Sequence, residues 1–133
     1  MRRQKTLSPI DGRVVADLPL ASEAEVAAVL ARARAAQPGW RRTPLPERAA
    51  AASRLVDAFV ARRDEIAREI TLQMGRPLAH SPGELRGFEE RARHMIAIAP
   101  EALVAIDPGP KPGFTRCVRR EPLGVVLTVA PWN

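Results

Sequence analysis

The sequence has 133 residues, 46% of them hydrophobic, which suits one globular domain with a core. No segment approaches the roughly 18 consecutive apolar residues of a membrane span. The basic N-terminus continues into Pro9 and Asp11, where a signal peptide would need an apolar run. We therefore expect a cytoplasmic protein without a membrane partner. The single cysteine, Cys117, excludes an internal disulfide and a cysteine metal cluster, and no metal site is predicted.

The net charge of +6 raises nucleic-acid binding as an alternative function. The basic residues, however, are nearly all arginine and are scattered along predicted helices among Asp and Glu. Aromatic side chains that could stack on bases are few, with three Phe, two Trp and no Tyr. We therefore expect no nucleic-acid partner, and a basic nucleic-acid binder remains the weaker alternative.

The first predicted element is a hairpin over residues 8–20, centred on the turn dipeptide Asp11-Gly12. Helices are predicted across residues 22–106. The first begins with a capping box formed by Ser22 and Glu25 and is expected to end at Pro38-Gly39. Its inward face is expected to carry the apolar residues that recur at helical spacing, which are Val26, Val29, Leu30 and Ala33.

The second helix is predicted from about Pro46 to Arg62. Its apolar positions form a stripe that is expected to be buried. The stripe consists of Ala49, Ala52, Leu55, Val56, Phe59 and Val60. A third helix should begin at Asp64 and end at Gly75, because glycine is common just past a helix end and Pro77 follows.

The fourth helix is predicted to begin with a second capping box, from Ser81 to Glu84, with Pro82 in its first turn. Pro100 is expected to interrupt or kink it. The residues expected to face inward are Leu85, Phe88, Ala92, Met95 and Ile96.

After the helices the pattern changes to loop and strand. Residues 107–113, DPGPKPG, predict a loop, and residues 114–121 predict a strand that is exposed or lies at an interface. Residues 125–130, VVLTVA, have the pattern of a strand buried on both faces. Such a strand needs neighbours, so residues 125–133 are expected to be the first strand and loop of a sheet that is not continued. The chain, 1–133, is thus predicted to be a single incomplete α/β domain.

Nearly the whole chain, from about Leu7 to Asn133, resembles the aldehyde dehydrogenase family. The similar segments are the hairpin SPIDGRVVADLPLAS, the helix end AAQPGWRRTPLPERA, the segment EITLQMGRPLAHSPGEL and the final block REPLGVVLTVAPWN. Arg76 stands where the family more often has Lys. The resemblance implies that 125–130 is the first strand of a Rossmann-like cofactor sheet. It also implies that 114–121 belongs to an oligomerisation arm, so that a homo-oligomer is expected.

For the site, the resemblance implies that Val129, Ala130, Pro131 and Trp132 line the cleft for NAD or NADP. Asn133 would donate a hydrogen bond to the oxygen of a small aldehyde substrate as that oxygen becomes an oxyanion. This position agrees with the rule that doubly wound sheets bind ligands at the carboxyl ends of their strands. The full enzyme would oxidise the aldehyde to a carboxylate through a cysteine thiohemiacetal.

The nucleophilic Cys, the general base Glu and the cofactor-binding Lys of the family have no matching position in the sequence, because all follow the PWN block. Cys117 precedes that block and does not match the nucleophile. We therefore expect an N-terminal fragment that is inactive by itself. A stand-alone helical binding or oligomerisation module without catalysis is the main alternative, because four predicted helices could pack together.

Overall fold

The computed structural model describes residues 2–129. The elements in chain order are β1 (Arg3–Leu7), β2 (Val14–Pro19), α1 (Glu23–Arg42), α2 (Leu45–Ala61), α3 (Arg63–Met74) and α4 (Pro82–Ala102). The two strands form an antiparallel hairpin. Among the described residues, α4 packs closely against both α2 and α3. The predicted order of a hairpin followed by four helices is confirmed.

The hairpin extends further towards the N-terminus than predicted. It begins at Arg3, which pairs with Pro19. The sequence did not predict this strand, since the polar segment RQKTL that forms β1 lacks an apolar alternation. The predicted turn at Asp11-Gly12 is confirmed. Gly12 has a φ of +74° and its N–H donates to the Ser8 carbonyl at 2.8 Å, while the Ser8 N–H donates to the Arg13 carbonyl at 2.8 Å.

Helix α1 begins with the predicted capping box. The Ser22 hydroxyl accepts from the Glu25 N–H at 3.3 Å, and the Glu25 carboxylate accepts from the Ser22 N–H at 2.7 Å. The predicted end at Pro38-Gly39 is wrong, because the helix continues through Pro38 to Arg42. The helix ends instead at Arg42, and the capping residue Thr43 has an extended backbone, which the proline that follows it favours.

The apolar face predicted for α1 is not buried within the described chain. Val26 is 56% exposed and Val29 is 55% exposed, and the helix has no buried residue. Helical spacing predicts which side chains share a face, but it does not provide a surface to cover that face. No described element packs closely on α1.

The core of the described chain lies between α4 and the pair α2 and α3. Its buried apolar residues are Val56 of α2, Ala67 of α3 and Leu85 of α4. At its edge the rings of Phe59 and Phe88 lie 5.2 Å apart between centroids. The predicted stripe of α2 is therefore only partly right, because Val56 is buried while Phe59, like Leu55, remains exposed.

The ends of α3 and α4 match the prediction in part. Gly75 ends α3 in the left-handed conformation, with a φ of +74°, as expected. The second capping box is wrong, because Ser81 has helical dihedral angles and its side chain makes no capping hydrogen bond. A turn closed from Ser81 N–H to the Pro77 carbonyl already precedes the helix. Pro100 lies inside α4, which ends two residues later at Ala102.

The two strands predicted after the helices are not formed as strands in the described residues. The loop at 107–113 is free of helix and strand as predicted, and within 114–121 only Val118 and Phe114 form isolated bridges, to Ile106 and Lys111. Residues 125–129 have no strand partner. The physical reason is that an apolar segment becomes a strand only when another strand completes its hydrogen bonds.

Within residues 2–129, no helix has the length and hydropathy needed to cross a membrane.

Candidate functional site

The structure describes one of the five site residues that the sequence predicts. Val129 is 78% exposed and belongs to no helix or strand. The other four, Ala130, Pro131, Trp132 and Asn133, lie outside the described residues. The cofactor cleft and the oxyanion donor therefore remain predictions.

The segment that leads to these residues has an exposed apolar surface. Leu123 is 95% exposed and Leu127 is 86% exposed, and Val126 and Val129 are also exposed. Monomeric soluble proteins rarely leave such a contiguous apolar stretch open to water, and an exposed patch of this kind marks an interaction surface. We name residues 123–129 the terminal apolar segment.

A buried polar arrangement lies where the hairpin turn meets the connection between α3 and α4. Ser8 and Ser81 are both buried, with 2% and 0% of their surfaces exposed. The Ser81 hydroxyl lies 2.9 Å from the Thr71 hydroxyl of α3 and donates to the Pro77 carbonyl at 3.3 Å. The Ser8 hydroxyl accepts from the Ile10 N–H at 3.3 Å. Each hydroxyl thus has a partner, which makes its burial tolerable.

At this junction a close contact with Pro9 leaves room only for glycine at position 75. A Cβ added to Gly75 would lie 2.9 Å from Cγ of Pro9, so the end of α3 and the hairpin turn touch at this point. The next residue, Arg76, forms an ion pair with Glu84 of α4 at 2.9 Å. The Gly-Arg-Pro segment therefore connects the hairpin to two helices and has a structural role.

The sequence did not predict this junction. It identified Gly75 as a helix end and Ser81 as a cap, but it did not show that the hairpin turn packs against them. A signal was present, because Ser-Pro and Gly-x-Pro restrict the backbone at both places. Two rigid turns are suited to pack on one another, but only the tertiary fold shows which ones meet.

Cys117 is exposed in the irregular segment after the loop at 107–113. Its neighbour Arg116 donates to three loop carbonyls, with the shortest bond, 2.7 Å, to Gly109. Arg116 therefore holds the loop in shape. In the part of the chain that is described, no three His, Cys, Asp or Glu side chains converge as a metal site would require.

The resolved shifts in pKa within residues 2–129 all favour the charged form. The pKa of Arg93 is raised by its hydrogen bond to Asp57 of α2 at 2.8 Å, and then by Glu89. The Ser22 backbone N–H, followed by its hydroxyl, lowers the pKa of Glu25. A general base needs a pKa near neutrality, so these groups have structural roles.

Comparison with known proteins identifies the family. The family model described as "Aldehyde dehydrogenase family" matches residues 1–133. Over 130 residues the chain is 35% identical to a 3,6-anhydro-alpha-L-galactose dehydrogenase of Streptomyces coelicolor, which covers 96% of this chain and 26% of that relative. It is 34% identical to an NADP(+) succinate-semialdehyde dehydrogenase of Deinococcus radiodurans, covering 96% of this chain and 27% of the relative. The chain thus spans about a quarter of the length of these relatives.

Solved structures agree with this result. An NAD-dependent benzaldehyde dehydrogenase from Corynebacterium glutamicum matches with a TM-score of 0.74 and 26% identity, over 84% of this chain and 24% of that one. A methylmalonate-semialdehyde dehydrogenase from Oceanimonas doudoroffii matches with a TM-score of 0.72 and 31% identity, over 79% and 21% of the two chains. The fold is therefore part of an aldehyde dehydrogenase domain, and the chain belongs to the aldehyde dehydrogenase family.

Proposed function

We propose that this chain supplies the first part of an enzyme that oxidises an aldehyde to a carboxylate with NAD(+) or NADP(+). The match of the family model to residues 1–133 carries this proposal. Related proteins are named for semialdehydes and for benzaldehyde, which supports a small aldehyde as the substrate. Their names include both cofactors, so we propose NAD or NADP without a choice between them.

In this proposal the residues from Val129 onward form part of the active site. Val129, Ala130, Pro131 and Trp132 line the cofactor cleft. The Asn133 side-chain amide donates a hydrogen bond to the aldehyde oxygen. A cysteine thiolate from the remainder of the enzyme attacks the carbonyl carbon, and negative charge then develops on that oxygen. A donor aimed at the developing charge stabilises the transition state more than the bound aldehyde.

We propose further that residues 1–133 are one incomplete domain and have no dehydrogenase activity alone. The reason is that the sequence offers no match to the family's nucleophile or general base. Two observations support this proposal: the chain spans about a quarter of its relatives, and its terminal apolar segment has no covering partner among the described residues.

We propose that other parts of the complete enzyme cover the exposed surfaces of this chain. The exposed face of α1 and the terminal apolar segment would pack against the rest of the domain. Residues 114–121 would contact a second subunit, because a segment with unpaired backbone groups can pair with another chain. We also propose that the enzyme acts in the cytoplasm.

A helical binding or oligomerisation module without catalysis is the second candidate. The packing of α4 on α2 and α3 favours it, because these helices bury a core of their own. The purified chain distinguishes the two candidates. A monomer that unfolds cooperatively in urea is expected of a module, whereas an aggregating chain without a cooperative transition is expected of part of a larger domain.

The enzymatic proposal is tested with a chimera. Residues 1–133 replace the aligned segment of the Deinococcus succinate-semialdehyde dehydrogenase, and reduction of NADP(+) is followed with succinate semialdehyde. We expect activity in the chimera and none in the isolated 133-residue chain. The unmodified Deinococcus enzyme is the positive control. A folded chimera without activity, or turnover by the isolated chain, would contradict the proposal.

A further inference from the structure

One ion pair joins the segment after the helices to the rest of the described chain. Nη2 of Arg41, at the end of α1, lies 2.5 Å from Oε2 of Glu121, although the two residues are 80 positions apart in the sequence. Arg119 also approaches Glu121, at 3.4 Å, but it belongs to the same segment. Within residues 2–129, the pair of Arg41 and Glu121 is the only hydrogen bond or ion pair between residues 107–129 and a helix. We name it the Arg41–Glu121 tether.

The backbone beside the tether is restricted as well. Pro122 follows Glu121, and the residue before a proline is biased towards extended conformations. Both residues line a surface cavity together with Leu45 of α2 and Leu103, the capping residue of α4. The chain therefore leaves the helices and enters the terminal apolar segment at a point that the tether defines.

The strand proposed for residues 125–130 carries little information about its own register. In the sequence VVLTVA, alternate positions place Val, Leu and Val on one face and Val, Thr and Ala on the other. A shift by one residue exchanges the two faces, which is strongly opposed when one face is apolar and the other polar. Here both faces are largely apolar, so burial discriminates less between registers. A fixed point outside the strand would supply the missing specificity.

The register of this strand matters to the proposed active site, because Asn133 follows it by three residues. A strand advances about 3.3 Å per residue. A slip by one residue would therefore carry the Asn133 amide beyond hydrogen-bond distance of the aldehyde oxygen. Misplacement of a catalytic group by about 1 Å can already lower the rate about 100-fold.

We propose that Arg41 and Glu121 are positioning residues for the dehydrogenase reaction. In the complete enzyme the tether sets the register of the strand 125–130 and thereby the place of Asn133. This inference rests on the proposed function, and neither tether residue contacts substrate or cofactor in it. Both side chains are about half exposed, at 54% and 43%, and exposed ion pairs are weak. The loss of kcat expected without the tether is therefore modest, about two- to fivefold.

The test uses the chimera with the Deinococcus enzyme, in which the remainder of the domain is present. Arg41→Gln and Glu121→Gln should each lower kcat about two- to fivefold with little change in KM, because the oxyanion donor acts mainly on the transition state. Arg41→Glu combined with Glu121→Arg restores opposite charges and should recover most of the lost kcat. In an Asn133→Ala chimera, Arg41→Gln should cause no further loss, since the group to be positioned is then absent.

Arg62→Gln is the matched control, because Arg62 forms an exposed ion pair of the same length, 2.5 Å, with Glu65 three residues away. It should leave kcat unchanged. An active chimera whose kcat is unaffected by either tether variant would overturn this inference and leave the proposed function standing. Equal losses from Arg41→Gln with and without the Asn133 side chain would also overturn it, because the tether would then not act through Asn133. A folded chimera without activity would overturn both.

Discussion

Replacing Gly75 with alanine should destabilise the chain through two separable effects. Gly75 has a φ of +74°, a conformation that costs an L-residue about 1–2 kcal/mol. The new Cβ would also lie 2.9 Å from Cγ of Pro9, whereas carbon atoms in contact prefer about 3.5–4.0 Å. Overpacking of this kind costs about 1–3 kcal/mol. The free energy of unfolding should therefore fall by about 2–5 kcal/mol.

The two effects can be separated with matched variants. Gly12 has the same φ, +74°, but a Cβ added there meets no atom within 4 Å. Gly12→Ala should therefore show only the conformational cost of about 1–2 kcal/mol. Adding Pro9→Ala to the Gly75→Ala variant removes the Cγ atom and should recover the difference. Urea unfolding followed by far-UV circular dichroism measures the unmodified chimera and the three variants made in it, because residues 1–133 are part of a complete domain there.

The contact between the hairpin turn and α3 is the assumption under test. If Gly75→Ala costs no more than Gly12→Ala, the close approach to Pro9 does not exist in solution. A double variant that recovers none of the lost stability would lead to the same conclusion.

Two further predictions concern the core and the first helix cap. Val56→Ala should lower the free energy of unfolding by about 1.5–3 kcal/mol, because Val56 is 2% exposed. The half-exposed Leu55→Ala should cost clearly less in the same urea titration, and equal losses would refute this core. The pKa of Glu25 is lowered by Ser22 in the folded state, so its stabilisation is complete above the unfolded carboxyl pKa of about 4.3 and is lost as pH falls through the lower folded value. Glu25→Gln should therefore reduce the loss of stability on acidification, and an unchanged pH profile of unfolding would contradict the cap.

The sequence predicted those parts of the fold that depend on local interactions. The Ser22 capping box, the Asp11-Gly12 turn and the Gly75 helix end each involve residues a few positions apart, and each is confirmed. One failed prediction involves competition between local and more distant partners. Ser81 does not cap α4 because its hydroxyl bonds to Thr71 and to the Pro77 carbonyl instead. The predicted end of α1 at Pro38 also failed, since the helix continues through Pro38 to Arg42.

The two strands predicted after the helices depend even more on partners that are distant in the sequence. An apolar, β-branched segment such as VVLTVA specifies a strand only when neighbouring strands complete its hydrogen bonds. None does so for residues 125–129. The site prediction depended on the resemblance of the PWN block to the family. Of the five predicted site residues, the described structure includes only Val129. The family, in contrast, follows from both sequence and fold.

The role of Asn133 is tested most directly in the active chimera. Asn133→Ala should lower kcat by about 100- to 1000-fold, the loss typical of one oxyanion donor, with little change in KM. The exposed Arg54→Gln of α2 is the control and should retain the kcat of the chimera. A chimera whose kcat is unaffected by Asn133→Ala would contradict the assignment of this chain's last residue to oxyanion stabilisation.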